Sequence, residues 1–313
     1  MRISAEAVRL LVPVMALALL LAGVFTLQPR AMSYTGLNLL FNLAVPIALA
    51  TIAQMLIMAV NDLDLSMGTF VSFVACVSAT FLNDAPVIGV LILLASIGVY
   101  AGLGVVIHLR NLPSIVVTLG MSFVWGGLAV LILPSPGGAA PAWARTVMTV
   151  KPPLAPMAIW ASVLIALVAW FIVSRSTFGV RVRAVGGNAR TVHRAGSSVL
   201  LIRAGAYALA ACFAVAAGIA LVGLATSADA NIALRYTLLS IAGVILGGGE
   251  FIGGRVSPIG AVIGALTLAL AGSFLSFLKI SPDWQIGAQG GILILVLAMR
   301  IGLNRLDQRR RRS

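Results

Sequence analysis

Few side chains in this 313-residue sequence could do chemistry. There are eight carboxylates, two histidines and two cysteines. His108 and His193 each stand close to arginines, in the pattern of solvated loop residues. Cys76 and Cys212 lie in apolar runs without metal-type spacing and read as small buried side chains. There is no HExxH and no GxSxG elbow, and the only lysines, Lys151 and Lys279, follow no glycine-rich turn. Zinc hydrolysis, a serine nucleophile and a phosphate-binding loop therefore each lack their material. No catalytic residue, metal site or cofactor is expected, and any ATP hydrolysis would belong to another chain.

Glu6, Asp62, Asp64, Asp84, Asp229, Glu250, Asp283 and Asp307 all fall at the ends of apolar stretches or between them. Carboxylates within a membrane span are the usual sign of proton or sodium coupling, so this placement speaks against an ion-coupled secondary transporter. Asp64 and Glu250 stand at two polar breaks, where a small boundary shift would carry either into a cavity. Asp64-Leu65-Ser66 also has the residue types of a helix cap.

The densest chemistry is basic. Arg175, Arg181, Arg183, Arg190, Arg194 and Arg203 fall in one island, RSTFGVRVRAVGGNARTVHRAGSSVLLIR, between apolar stretches of about twenty residues. Each charge at a bilayer centre would cost roughly 2.5 to 3.5 kcal/mol, so the island must project into water.

The elements that position these residues are membrane spans. The chain is 61% hydrophobic and 9% charged, where soluble domains carry about 25% charged residues. A length of about 20 apolar residues per span marks ten candidates: 10–27, 38–59, 65–82, 86–107, 114–133, 155–173, 199–224, the short 237–248, 258–278 and 284–301. The first reads as an uncleaved span rather than a signal peptide. Ten spans put both termini on one side. With the N-terminus inside, sixteen of the basic residues face the cytoplasm and five face out, in agreement with the positive-inside rule. The net charge of +13 therefore points to topology and anionic lipid, with no nucleic acid as partner.

One all-α membrane domain over 1–313 is expected, with a cytoplasmic loop near 175–199 and a basic tail at 300–313. PSPGGAAPAWARTVMTVKPPLAP (Pro134 to Pro156) is the longest external link, with room for a short surface helix. GGGEFIGG (Gly247 to Gly254) follows the shortest span and suggests a re-entrant or interrupted element. Ile57 to Phe70 and Ile245 to Pro258 share a weak pattern of apolar end, polar break and new helix, the mark of two pseudo-repeated halves. Gly260 and Gly264 have the spacing of close helix packing.

GVRVRAVGGNARTVHRAG (Gly179 to Gly196) resembles the coupling loop of permease subunits of ATP-binding cassette importers for ribose, xylose and related monosaccharides. LDLSMG (Leu63 to Gly68), VVTLGMSFVWGGLAVLI (Val116 to Ile132) and SIAGVILGGGEFIGGRVSPIGAVIGAL (Ser240 to Leu266) are similar to further blocks of that family, in order. The resemblance implies a bacterial inner-membrane permease that is not an enzyme. Its implied partners are cytoplasmic ATP-binding subunits, a periplasmic substrate-binding protein and a second permease, identical or different.

It assigns ATPase coupling to Arg183, Gly186, Gly187, Asn188 and Arg190, with the two glycines allowing a sharp turn and Asn188 either tolerating or capping the strained position. For a break that shapes or gates the path, the candidates are Asp64, Ser66, Gly68, Gly248 and Glu250. For the path itself they are Asn42, Gln54, Thr118, Met121 and Phe123, although hydrogen bonding between helices would explain the polar ones equally well. The sequence departs from the family at Asn61-Asp62, where glycines are usual, at Gly126 and at Glu250. These changes leave open a cargo other than a plain pentose: nucleosides, a signalling furanose or amino acids.

Overall fold

The computed structural model describes residues 5–279, together with 284, 287, 290 and 291. Among these residues every regular element is helical. In order they are α1 (Ala5–Leu27), α2 (Tyr34–Phe41), α3 (Ala44–Met58), α4 (Met67–Phe81), α5 (Pro86–Arg110), α6 (Ser114–Ile132), α7 (Ala142–Thr149), α8 (Met157–Trp170), α9 (Thr177–Arg194), α10 (Val199–Ala225), α11 (Tyr236–Leu246) and α12 (Pro258–Phe277). A short 3-10 turn (Pro29–Met32) precedes α2, and a π turn (Phe171–Arg175) extends α8. The chain is an all-α integral membrane protein. Nine of the ten expected spans correspond to described helices, and the span at 284–301 and the tail at 300–313 lie outside the described residues.

Two kinds of apolar helix are present. Every residue of α3 except Leu49 is buried, and α3 packs against α10, α11 and α12 at the centre of the bundle. α5, α6 and α8 are as apolar, yet most of their surface is uncovered by the chain, as with Phe123, Leu131 and Leu164. A helix that is apolar all round and unburied needs hydrocarbon or another subunit against it. Where helices approach most closely the contact residue is glycine. A Cβ on Gly260 would strike the Gly247 carbonyl, and one on Gly264 would strike the Gly243 carbonyl, so these glycines let α11 and α12 cross backbone to backbone.

α4 and α11 have only 15 and 11 residues, about 22 and 16 Å of helix against a hydrocarbon core of about 30 Å. Each is completed by non-helical chain. Before α4 this is the break from Ala59 to Ser66, and before α11 it is the turn-rich segment from Thr226 to Arg235. The two short helices meet at their N-terminal ends. Gly68 N–H donates to Thr237 Oγ1 at 2.9 Å, and Ala233 N–H donates to Ser72 Oγ at 3.0 Å. The segment ahead of α11 thus lies against the first turns of α4. Gly247 to Gly254 is a turn between α11 and α12, with Gly247 to Gly249 buried and Phe251 and Ile252 exposed, the interrupted form of the two that the sequence left open. Gly248, Gly253 and Gly254 there hold positive φ (+93°, +93° and +64°), a conformation that costs glycine little.

The external link carries the short helix α7, with Ala144 against Gly223 of α10. Gly137 and Ala228 exchange two backbone bonds of 2.9 Å that tie this link to the segment ahead of α11.

Candidate functional site

The break between α3 and α4 holds two levels of polar structure. The first lies at the arginine-rich face. Asn61 adopts φ +62°, left-handed backbone that Asn tolerates better than most residues. Its Nδ2 donates to the Gly186 carbonyl at 2.6 Å, and its Oδ1 accepts from Gly253 N–H at 3.0 Å. One side chain therefore joins the α3–α4 break, the basic island and the glycine-rich turn. The backbones are in direct contact as well. A Cβ on Gly186 would overlap the Ala59 carbonyl and lie 2.7 Å from Gly254 Cα, and one on Gly254 would overlap the Arg183 carbonyl.

Next to it, Asp62 forms an ion pair with Arg203 of α10, Nε to Oδ2 3.3 Å, with Tyr207 and Ser114 alongside. Burial lifts the Asp62 carboxyl above its ordinary value of 3.8, and the Arg203 charge opposes that rise.

The second level is deeper. Asp64 is fully buried, and its carboxylate accepts from Ser66 N–H and Ser66 Oγ, both at 2.7 Å, and from the Tyr100 hydroxyl at 2.7 Å. Tyr100 lies ten residues before the end of α5, about 15 Å along the helix and so roughly half the depth of the hydrocarbon core. Gln54 of α3, with its amide oriented to satisfy both groups, spans the Asp64 backbone N–H and carbonyl at 3.2 Å each. From α6, Thr118 Oγ1 accepts from Leu65 N–H at 3.0 Å, and Ser114 Oγ accepts from Leu63 N–H at 3.1 Å. The interrupted backbone is thereby satisfied within the protein, the condition for non-helical chain at membrane depth. Phe70, Phe73, Tyr100 and Trp125 close over it in an aromatic cluster with neighbouring ring centroids 4.4 to 6.4 Å apart.

The structure thus brings together Gln54, Asp64, Ser66 and Thr118, with Gly68 so close to the next segment that an added Cβ would lie 2.6 to 2.7 Å from the Ala233 and Leu234 carbonyls and Thr237 Oγ1. Their polar atoms are spent on one another, so hydrogen bonding between elements accounts for them. Asp64 does not cap α4 through the usual side-chain bond to the first turn. It instead closes a two-residue turn onto Ser66. Asn42 stands apart at the end of α2, half-buried, with Oδ1 lacking a partner among the described residues. Met121 is half-buried, and Phe123 is 76% exposed on the outer face of α6. Glu250 pairs with Arg255 across the glycine turn at 3.4 Å, and Gly248 shapes that turn.

In the island, α9 is interrupted at Asn188, whose backbone is extended (φ −160°, ψ 95°), and Asn188 Oδ1 caps the second part through Thr191 N–H at 3.1 Å. The expected turn at Gly186 and Gly187 is corrected here. Both glycines are helical, and Gly186 serves close approach to Ala59 and Gly254. Gly187 and Arg190 face outward, while Arg183 Nε is buried without a hydrogen-bond partner among the described residues. Sequence reading missed Asn61, Tyr100 and Arg203 as parts of the site. The only local signals were an Asn in a family glycine position, one hydroxyl in an apolar helix, and the deepest arginine of the island.

The comparisons place this geometry in a family. A family model described as "Branched-chain amino acid transport system / permease component" matches residues 36–297. The chain belongs to this family of permease components. Among curated proteins, the chain is 28% identical to the galactose/methyl galactoside import permease protein MglC of Salmonella typhimurium, with 90% of this chain and 91% of that one covered. It is 28% identical to the ribose import permease protein RbsC of Escherichia coli, with 90% of each covered. The probable ABC transporter permease protein y4mJ of Sinorhizobium fredii is 26% identical over 93% of this chain and 89% of its own. No solved structure matches the chain significantly. As a permease component the chain is a multi-pass membrane transport subunit, and the all-α fold agrees.

Proposed function

We propose that this permease is the membrane subunit of an ATP-driven, binding-protein-dependent importer for a monosaccharide or related polyol, in the bacterial inner membrane with both termini cytoplasmic. ATP hydrolysis falls to separate cytoplasmic subunits, solute delivery to a periplasmic binding protein, and the path forms between this chain and a second permease. The observation that carries the reading is near full-length coverage in both directions by permeases named for ribose and for galactose import.

The geometry supports how it would work. Arg183, Gly186, Gly187, Asn188 and Arg190 form the coupling loop, with the exposed Phe251 and Ile252 beside it as an apolar contact for the ATPase. A displacement of Gly186 acts on both adjoining segments through Asn61 and the close contacts with Ala59 and Gly254. The opposed N-terminal ends of α4 and α11 border the path, as the ends of interrupted helices do in transporters built from repeats. Gln54, Asp64, Ser66, Gly68 and Thr118 form the rigid wall behind it.

The test is reconstitution of the permease with its ATPase and binding protein in proteoliposomes, following labelled galactose and ribose. Uptake that requires ATP and binding protein is expected. Uptake that collapses with the proton or sodium gradient while ATP remains high would overturn the reading. The family model's description favours one second reading, amino-acid import. Solute-induced thermal shifts of the binding protein, comparing sugars with leucine and valine, decide between the two.

A further inference from the structure

Behind the coupling loop, between the end of α5, the second part of α9 and the start of α10, lies a cavity of about 760 Å³. His108, Arg190, His193 and Arg194 line it, with Ser197, Ser198 and the first residues of α10 forming its floor. No carboxylate is among its lining residues, and Arg190 and Arg194 have no ion pair among the described residues. Asp62, whose charge reaches His108, is occupied by Arg203. The opening turn of α10, a helix of 27 residues, adds N–H groups without helical partners, of which Ser198 Oγ satisfies only that of Leu201. Two guanidinium forks, two imidazoles, two hydroxyls and a helix N-terminus around one space make a donor set suited to a phosphate ester.

Position indicates where the phosphate comes from. The cavity opens where α5 ends and α10 begins, and the flanking side chains Leu109, Leu112, Ile115 and Leu201 are exposed and apolar. Charged donors with uncovered hydrocarbon immediately beside them match the boundary between headgroup and acyl chain. We infer that this cavity binds a phosphate-bearing anion, the headgroup of an anionic phospholipid of the leaflet on the arginine-rich side. Arg190 also belongs to the proposed coupling loop, so the lipid would touch the back of the segment that meets the ATPase. The site itself rests on the cavity and its donors and does not depend on which solute is carried.

The test uses the purified full-length permease without its ATPase, so the result is separate from the transport reading. Native mass spectrometry compares retention of phosphatidylglycerol and phosphatidylcholine by wild type, by R190Q/R194Q and by R175Q/R181Q, which removes two island charges outside the cavity. The expected result is a preference for phosphatidylglycerol that falls about tenfold in R190Q/R194Q and persists in R175Q/R181Q. Equal losses in both pairs would reduce the effect to diffuse attraction and overturn the site, as would no loss in either. If R190Q/R194Q does not fold, R194Q and H108Q singly read the cavity from two different helices, and binding unchanged in both overturns the proposal. Inorganic phosphate in excess is the second arm. Lipid retained in its presence upholds the headgroup, and full displacement overturns the lipid source in favour of soluble phosphate.

Discussion

The Asn61 side chain donates to the Gly186 carbonyl across 2.6 Å, 125 positions away in sequence, while its own carbonyl oxygen accepts from Gly253 N–H. Both functional atoms of one amide are used, each on backbone from a different segment. Backbone partners cannot rotate away as side chains can, so the three segments move together or the bonds break. Under the proposed mechanism this knot is where motion of the coupling loop enters the membrane domain.

Replacing Asn61 separates backbone from side chain. Asn61→Gly keeps the left-handed conformation without cost and removes both bonds, whereas Asn61→Ala removes the bonds and adds about 1 to 2 kcal/mol of backbone strain. Both variants are expected to retain ATPase activity in the reconstituted complex while transporting less solute per ATP. Asn61→Ala should also lower the apparent melting temperature in detergent. Equal transport stoichiometry in wild type and Asn61→Gly would remove Asn61 from the coupling route.

Adjacent glycines should behave oppositely. A methyl group at Gly186 meets the Ala59 carbonyl and the Gly254 backbone, which cannot yield without separating the segments, while one at Gly187 meets only the Gly253 carbonyl at 3.9 Å. Gly186→Ala is expected to cost about 1 to 3 kcal/mol as an overpacked contact, and Gly187→Ala to be neutral or to stabilise by about 0.5 to 1 kcal/mol as a helical Gly→Ala change. Thermal melts of the two purified variants measure the difference.

The two ion pairs near the site differ in burial, and so should their loss. Asp62 and Arg203 expose 7% and 19% of their side chains, against 34% and 62% for Glu250 and Arg255. Arg203→Met leaves a buried carboxylate uncompensated and is expected to cost about 3 to 5 kcal/mol, whereas Arg255→Met should cost under about 1 kcal/mol. Asp62 is already raised above 3.8 by burial, and removing Arg203 raises it further. A raised folded value means that the group's contribution is full below the unfolded value and lost as pH rises through the folded one. The Arg203→Met defect should therefore deepen as pH climbs past the ordinary carboxylate range, as read from melting temperatures at acidic and neutral pH.

Tyr100 gives the Asp64 carboxylate its only described donor from another helix, at 2.7 Å. Tyr100→Phe keeps the aromatic packing and removes that donor, at an expected cost of about 1 to 3 kcal/mol. Because Ser66 still supplies two donors, the fold should survive and the melting temperature should fall. An unchanged melting temperature would show the hydroxyl to be energetically idle.

The sequence by itself determined the features that local chemistry sets. Continuous apolar runs require helices in a bilayer, and the six-arginine island requires water. Asn188 as a cap was also legible, because capping is a contact across three residues. Tertiary structure decided the rest. Gly186 and Gly187 look alike in sequence, and only packing makes one indispensable and the other free. The glycine run after α11 read as the second interruption and does touch the α3–α4 break at Asn61, yet the segment from Thr226 to Arg235 also packs on the start of α4, with no glycine to announce it. Gln54 and Thr118 read equally as path groups or as bonds between helices, and Asp64 and Ser66 as parts of a gating break, and the fold turns all four on one another and on broken backbone. The physical reason is common to all three cases. Hydropathy and capping act over a few residues, whereas a hydrogen bond inside a membrane protein is set by whichever backbone group the helix crossings leave unpaired at that depth.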